Sequence, residues 1–152
     1  MRGKLIAMLL AAAAEAAALA AYMFWPVALD EYVDAAEQIV VARMDVGLSG
    51  EAGNAKPWVT AGDYTLERGT PEFEAVAALL SGESCHRTLR YPDGTGGCSV
   101  TLWFYGGGEQ MGGYLLMDSG FVRDMDNRDY AMGLFTGEPV RELIDAIEAA
   151  VQ

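Results

Sequence analysis

Apolar residues run from Leu5 to Leu29 with Glu15 as the one charged interruption, and beyond Leu29 the pattern breaks into short alternating and helical periods. The long run reads as an N-terminal membrane segment. Arg2 and Lys4 precede it, and Asp30, Glu31 and Asp34 follow it. This excess of basic residues on the N-terminal flank puts the N-terminus in the cytoplasm and the remainder outside. Tyr22, Phe24 and Trp25, followed by Pro26, suit the aromatic belt where a spanning helix leaves the hydrocarbon. Glu15 opposes insertion by roughly 2 to 3 kcal/mol. Leu5, Ile6, Leu9, Leu10, Leu19 and Phe24 each return about 0.3 to 0.6 kcal/mol, so insertion comes out near break-even. Two other readings of these residues stay open. One is a cleaved signal peptide with its core at Leu5 to Ala14 and a small-residue site at Ala16-Ala17-Ala18 or Ala18-Leu19-Ala20. The other is a soluble alanine-rich helix.

After the leader, residues 30–37 contain no Gly or Pro and are expected to extend the helix outward as a stalk. From Ile39 to Leu48 the period is two: Val40, Ala42, Met44, Val46 and Leu48 face one way and Arg43 and Asp45 the other, as in a half-buried strand. Ser49 to Lys56 is a turn or loop. Trp58 to Arg68 is a second strand in which Trp58, Thr60, Tyr64 and Leu66 share a parity, with a kink expected at Ala61-Gly62.

Thr70-Pro71 is a helix start, with Thr as N-cap, Pro at the first helical position and Glu72 and Glu74 in the first turn. The helix carries an apolar stripe of Phe73, Val76, Ala77 and Leu80 and stops at Gly82. Cys85 to Tyr91 and Cys98 to Tyr105 are expected to form a hairpin about Tyr91-Pro92-Asp93-Gly94. Cys98, Val100, Leu102 and Phe104 would lie on one face of its second strand, and Ser99, Thr101, Trp103 and Tyr105 on the other. Gly106-Gly107-Gly108 turns the chain into a strand at Gln110 to Met117, and Phe121 to Arg123 and Tyr130 to Phe135 are shorter candidates. A second helix opens at Glu138-Pro139, with Val140, Leu143, Ile144, Ile147 and Val151 as its stripe.

These elements predict an α+β protein: an N-terminal membrane helix, then a mainly antiparallel sheet of five or six strands with two amphipathic helices on one face. The expected division is residues 1–29 as anchor or signal segment, 30–37 as stalk and 38–152 as one extracytoplasmic domain.

Charge narrows the partners. The whole chain carries a formal charge of −12, and without Arg2, Lys4 and Glu15 it keeps 8 basic against 21 acidic residues, or −13. Such a surface repels nucleic acid and argues against docking on anionic lipid heads. Cys85 and Cys98 lie on the exported side, where a bridge is chemically allowed, yet the hairpin register sets them one or more positions out of line. Disulfide and free thiols therefore both remain open.

Candidate chemistry is sparse. His86 is the one histidine, and on a strand it points away from Cys85, which disfavours a Cys-His nucleophile. Asp124-Met125-Asp126-Asn127-Arg128-Asp129 begins like a calcium loop but places Arg128 and Asp129 where a ligand and a glycine are needed, so a solvated turn is the better reading. The glycine clusters at 94–97 and 106–108 lead into no helix and do not make a phosphate cradle. His86, Arg87 and Arg90, with Trp103 and Tyr105 on the neighbouring strand, are the candidate ligand-binding residues, a basic and aromatic patch suited to a carboxylate, glycan or peptide. Packing of Trp103 and Tyr105 in a core is the alternative.

Tyr64-Thr65-Leu66 leading into Gly69-Thr70-Pro71-Glu72-Phe73, then Leu79-Leu80-Ser81-Gly82 and His86-Arg87, resembles the small single-anchor exported proteins of Gram-positive gut bacteria. That resemblance implies no particular activity. The expected role is a non-catalytic, membrane-anchored extracytoplasmic binding or regulatory domain, with no cofactor and no metal, facing a protein, peptide or glycan. Two alternatives stand beside it: a secreted interaction or inhibitor protein after leader cleavage, and an enzyme using carboxylates such as Asp118, Asp124 and Asp126.

Overall fold

The computed structural model describes residues 2–49, 56–90, 97–133 and 136–152. The leader forms helix α1 (Arg2–Phe24), and its stretch Ile6–Phe24, 19 residues with a mean hydropathy of 1.8, is long and apolar enough to cross a membrane. No residue of that stretch is fully buried, and its C-terminal end meets the sheet at β4. The helix ends just before Pro26, which has no amide donor and excludes helical geometry from the residue ahead of it.

Residues 30–37 do not continue α1 as a stalk, because the stop lies upstream at Pro26. Strand β1 (Val27–Ala28) enters the sheet directly, and Leu29 and Ala36 are fully buried in the core. Between them the Tyr32 ring packs 5.7 Å from Phe104 and 5.8 Å from Tyr114. Arg68 ties the segment down by donating to the carbonyls of Ala36, Val33 and Asp34 at 2.6, 2.7 and 2.9 Å.

The sheet has eight strands among the described residues, against five or six expected. In chain order the remaining elements are β2 (Gln38–Ser49), β3 (Lys56–Glu67), α2 (Pro71–Leu80), β4 (Ser84–Arg87), β5 (Gly97–Gly106), β6 (Glu109–Met117), β7 (Phe121–Asp124), β8 (Asp129–Ala131) and α3 (Glu138–Val151). Across the sheet the order is β1-β4-β8-β7-β6-β5-β2-β3, with antiparallel neighbours throughout. The short strands β7 and β8 fall on the shorter candidates that begin at Phe121 and Tyr130, and the strand with no candidate is β1, whose 2 residues are too few for alternation to show.

The hairpin expected between Cys85–Tyr91 and Cys98–Tyr105 does not form. β4 pairs with β1 and β8, whereas β5 pairs along its length with β2 and β6. A four-residue β4 offers few ladder bonds to a ten-residue strand, and the 12-residue β2 offers many. The turn at 91–94 lies outside the described residues. By contrast, β5 and β6 make a tight hairpin through Gly107 and Gly108, whose φ values of 61° and 80° are those of a type I′ turn.

The parity of β2 is opposite to the expectation. Ile39 and Val41 are buried, and Arg43 and Asp45 share their side; Val40, Ala42 and Val46 are half-buried on the other side and Met44 is exposed. Strand alternation treats charge as a marker of solvent, but here Arg43 bridges Asp45 and Glu148 of α3 at the edge of the helical layer. β3 runs through Ala61-Gly62 without a break in register, so the expected kink is also absent.

Both amphipathic helices form as expected. The amide of Phe73 donates to Thr70 Oγ1 at 3.3 Å, Pro71 opens α2, and Phe73, Val76, Ala77 and Leu80 are buried. α3 buries Val140, Leu143, Ile144, Ile147 and Val151. The two helices pack side by side on the sheet face that carries Ile39, Val41, Val100, Leu102, Phe104 and Leu116. Each of these large side chains, once buried, contributes about 1.5 to 3 kcal/mol.

Candidate functional site

The five residues expected to form one patch fall into two groups. Strands β8, β7 and β6 lie between β4, which carries His86 and Arg87, and β5, which carries Trp103 and Tyr105. The first group holds the end of α1. Arg87 donates to the carbonyl of Tyr22 at 3.1 Å while its guanidinium lies 4.2 Å above the Tyr22 ring. The His86 ring is 5.6 Å from that of Phe24, and Arg90 lies 5.4 Å from the ring centre of Phe121. An arginine on the last carbonyls of a helix satisfies acceptors that have no partner inside the helix.

The second group sits on the sheet face away from α2 and α3. Register places Val40 beside Trp103, Ala42 beside Thr101 and Met44 beside Ser99, and across β6 it places Thr101 beside Leu115 and Ser99 beside Met117. These residues are half-buried or, at Met44, exposed. Trp103 faces Gly113, which has no side chain, so its indole lies over bare backbone. The result is a face with an apolar centre, flanked by the Arg123–Asp129 ion pair beyond Leu115 and by Asp63 and Thr65 on β3, and no described helix covers it. Pattern reading assigned β2's apolar parity to the core and so missed Val40, Ala42 and Met44 as surface.

The cysteines are both free thiols. Four strand-to-strand steps of about 4.8 Å separate β4 from β5, roughly 19 Å in all, where a disulfide needs Cα atoms about 4.4 to 6.8 Å apart. Burial pushes the Cys85 thiol up to about 12, and its sulfur lies 3.6 Å from the carbonyl of Val27. Cys98 is also pushed up to about 12, first by burial and then by Asp45, with Glu148 adding to the effect and Arg43 opposing it. Both groups stay protonated near neutral pH, and His86 lies on the sheet face opposite Cys85.

Asp124 is the hub of the β7–β8 turn. Its Oδ1 accepts from the amides of Asp126 and Arg128, each at 2.9 Å, and its Oδ2 accepts from the Tyr130 hydroxyl at 2.8 Å. Asn127 closes the turn at φ 61°. Asp118 sits at the opposite end of β7 and accepts from the amide of Cys98 at 2.8 Å, so the three candidate carboxylates do not converge. Among the described residues there is no group of three or more His, Cys, Asp or Glu side chains suited to a metal ion.

Arg43 joins two carboxylates at the margin of the core, donating to Asp45 at 2.9 Å and to Glu148. Its hydrogen bond holds the Asp45 carboxyl below the usual range. Comparison with protein-family models, curated proteins and solved structures gives no match to this chain.

Proposed function

We propose that the protein is a membrane-anchored extracytoplasmic binding module that engages a partner protein through the uncovered face of its sheet. The observation that carries this reading is the one-sided helical layer. α2 and α3 bury one face, while the other presents Val40, Ala42, Met44, Trp103, Leu115 and Met117. Contiguous apolar surface on a monomer marks interaction sites, and aromatic and methionine side chains are favoured in the centres of interfaces. Besides Ser99, Thr101 and Tyr105, the face carries the Arg123–Asp129 ion pair beyond Leu115 and Thr65 and Asp63 beside Val40 and Ala42, a polar rim around an apolar centre as interfaces have. The apolar α1 supplies the anchor, and the basic N-terminal flank supports the outward orientation of the domain.

The test is site-specific photo-crosslinking in intact cells, with the photoreactive residue at Met44 or, as control, at Glu142 on the helical side. The expected result is a discrete adduct with another protein from Met44 alone, reduced by Leu115→Arg. Equal or absent adducts from the two positions remove the face as a binding surface.

A further inference from the structure

We propose that the end of α1 and the segment Arg87 to Arg90 form a seat for phospholipid headgroups, with Arg87 and Arg90 on lipid phosphate and Leu89 and Trp25 in the interfacial layer. This deepens the anchored reading and rests on it. A helix rises about 1.5 Å per residue, so Ile6–Phe24 spans roughly 28 Å, close to the thickness of bilayer hydrocarbon. Whatever packs beside Met23 and Phe24 is thereby set at headgroup depth. Two clefts flank this end, one of about 360 Å³ between Phe24 and the segment His86 to Arg90, the other of about 250 Å³ between Tyr22, Leu89 and Arg128.

The side chains here make little sense in water. Leu89 is 85% exposed, Trp25 67% and Phe24 59%, three large apolar groups on one end of the molecule. Aromatic residues with an arginine partner are the usual composition of the membrane interface. Charge is complementary as well. The exported part carries −13 overall, yet Arg87, Arg90 and Arg128 gather at this end. Arg128 is engaged by Asp126 at 3.1 Å, while neither Arg87 nor Arg90 is ion-paired among the described residues. A guanidinium with no carboxylate partner at headgroup depth meets lipid phosphate, and Arg87, which uses one donor on the Tyr22 carbonyl, keeps the others of its planar fork for that anion. The net charge of the domain still repels an anionic surface elsewhere, so the seat also sets which edge lies down: β4 and β1 at the bilayer, β3 at the far edge of the sheet.

The test uses the full chain in vesicles of phosphatidylcholine with phosphatidylglycerol, in a Cys98→Ser background, with a nitroxide at Leu89→Cys or, as control, at Asp63→Cys on β3. Collision with dissolved oxygen against a water-soluble nickel chelate reports depth. The Leu89 label is expected at headgroup depth and the Asp63 label in water. Arg90→Glu should raise chelate access at Leu89 about fivefold, the effect of one lost arginine contact at a bilayer surface, and about 1 M salt should act in the same direction. Equal water access for the two labels, with the chain still floating with the vesicles, overturns the seat and leaves the anchor standing. Headgroup depth that neither Arg90→Glu nor salt changes overturns the phosphate contact. A chain that does not float with the vesicles overturns the anchored reading itself and the seat with it.

Discussion

Arg43 on β2 donates to the carboxylate of Glu148 on α3, across 105 positions of sequence, and the same guanidinium also holds Asp45. One cation thereby joins the sheet to the last helix at the margin of the core. Removing it leaves two carboxylates and the Cys98 thiol facing each other without a counter-charge. Arg43→Met should lower stability by about 1 to 3 kcal/mol, measured by urea unfolding of the full chain in detergent. Arg43→Met with Glu148→Met should recover part of that loss, because a half-buried charge is then no longer stranded.

Asp45 gives this corner a pH dependence. Its hydrogen bond from Arg43 lowers the folded-state pKa, so the folded chain binds a proton less readily than the unfolded one. The stabilisation is complete above the ordinary aspartate value of about 3.9 and is lost as pH falls through the lower folded value. Asp45→Asn should flatten the acid limb of a stability profile, and an unchanged limb would count against the pairing.

The thiols make an opposite statement. Burial raises both cysteines to about 12, so the folded chain keeps protons that the unfolded chain releases above about 8.5. Stability should fall as pH rises from that value toward 12. At neutral pH Cys85 should resist alkylation in the native protein. After denaturation without reductant, mass spectrometry should find two alkylated cysteines, whereas an unmodified pair would mean a disulfide.

The two faces of the sheet are separable by mutation. Val41 and Leu102 lie under the helices and Met44 on the open face. Leu102→Ala should cost about 2 to 5 kcal/mol, and Met44→Ala under about 0.5 kcal/mol, both by urea unfolding. Similar losses at the two sites would mean that something covers the open face.

Glu15 lies near the middle of α1. Replacing it with Leu should favour insertion by about 2 to 4 kcal/mol, read as the fraction of full-length chain recovered in membranes. If the wild-type chain is already recovered full-length in membranes and Glu15→Leu adds nothing, the wild-type helix inserts completely.

Local chemistry accounts for the elements that pattern alone identified. Thr70-Pro71 caps a helix because a side-chain oxygen and a preset φ act within one turn, and the stripes of α2 and α3 follow from 3.6 residues per turn. Gly107-Gly108 turns the chain because both positions need positive φ, and the apolar leader is a matter of length and hydropathy. Each of these depends on residues a few positions apart, so the order of residues along the chain is enough to specify it.

Tertiary structure alone decided the partners. β4 and β5 are neighbours in sequence with a turn signal between them, yet β5 pairs with β2 and β6 because long strands satisfy more backbone groups against long partners. That choice placed Cys85 and Cys98 on strands with three others between them, divided His86 and Arg87 from Trp103 and Tyr105, and drew Tyr22 and Phe24 onto β4. Arg43 and Asp45 became core-side residues only when Glu148 arrived from the far end of the chain. Net charge likewise summed over residues that folding sorts by position, so Arg87 and Arg90 at the helix exit were invisible in a total of −12. Pairing, burial and local field all depend on distances between residues remote in sequence, and those distances exist only once the chain has closed on itself.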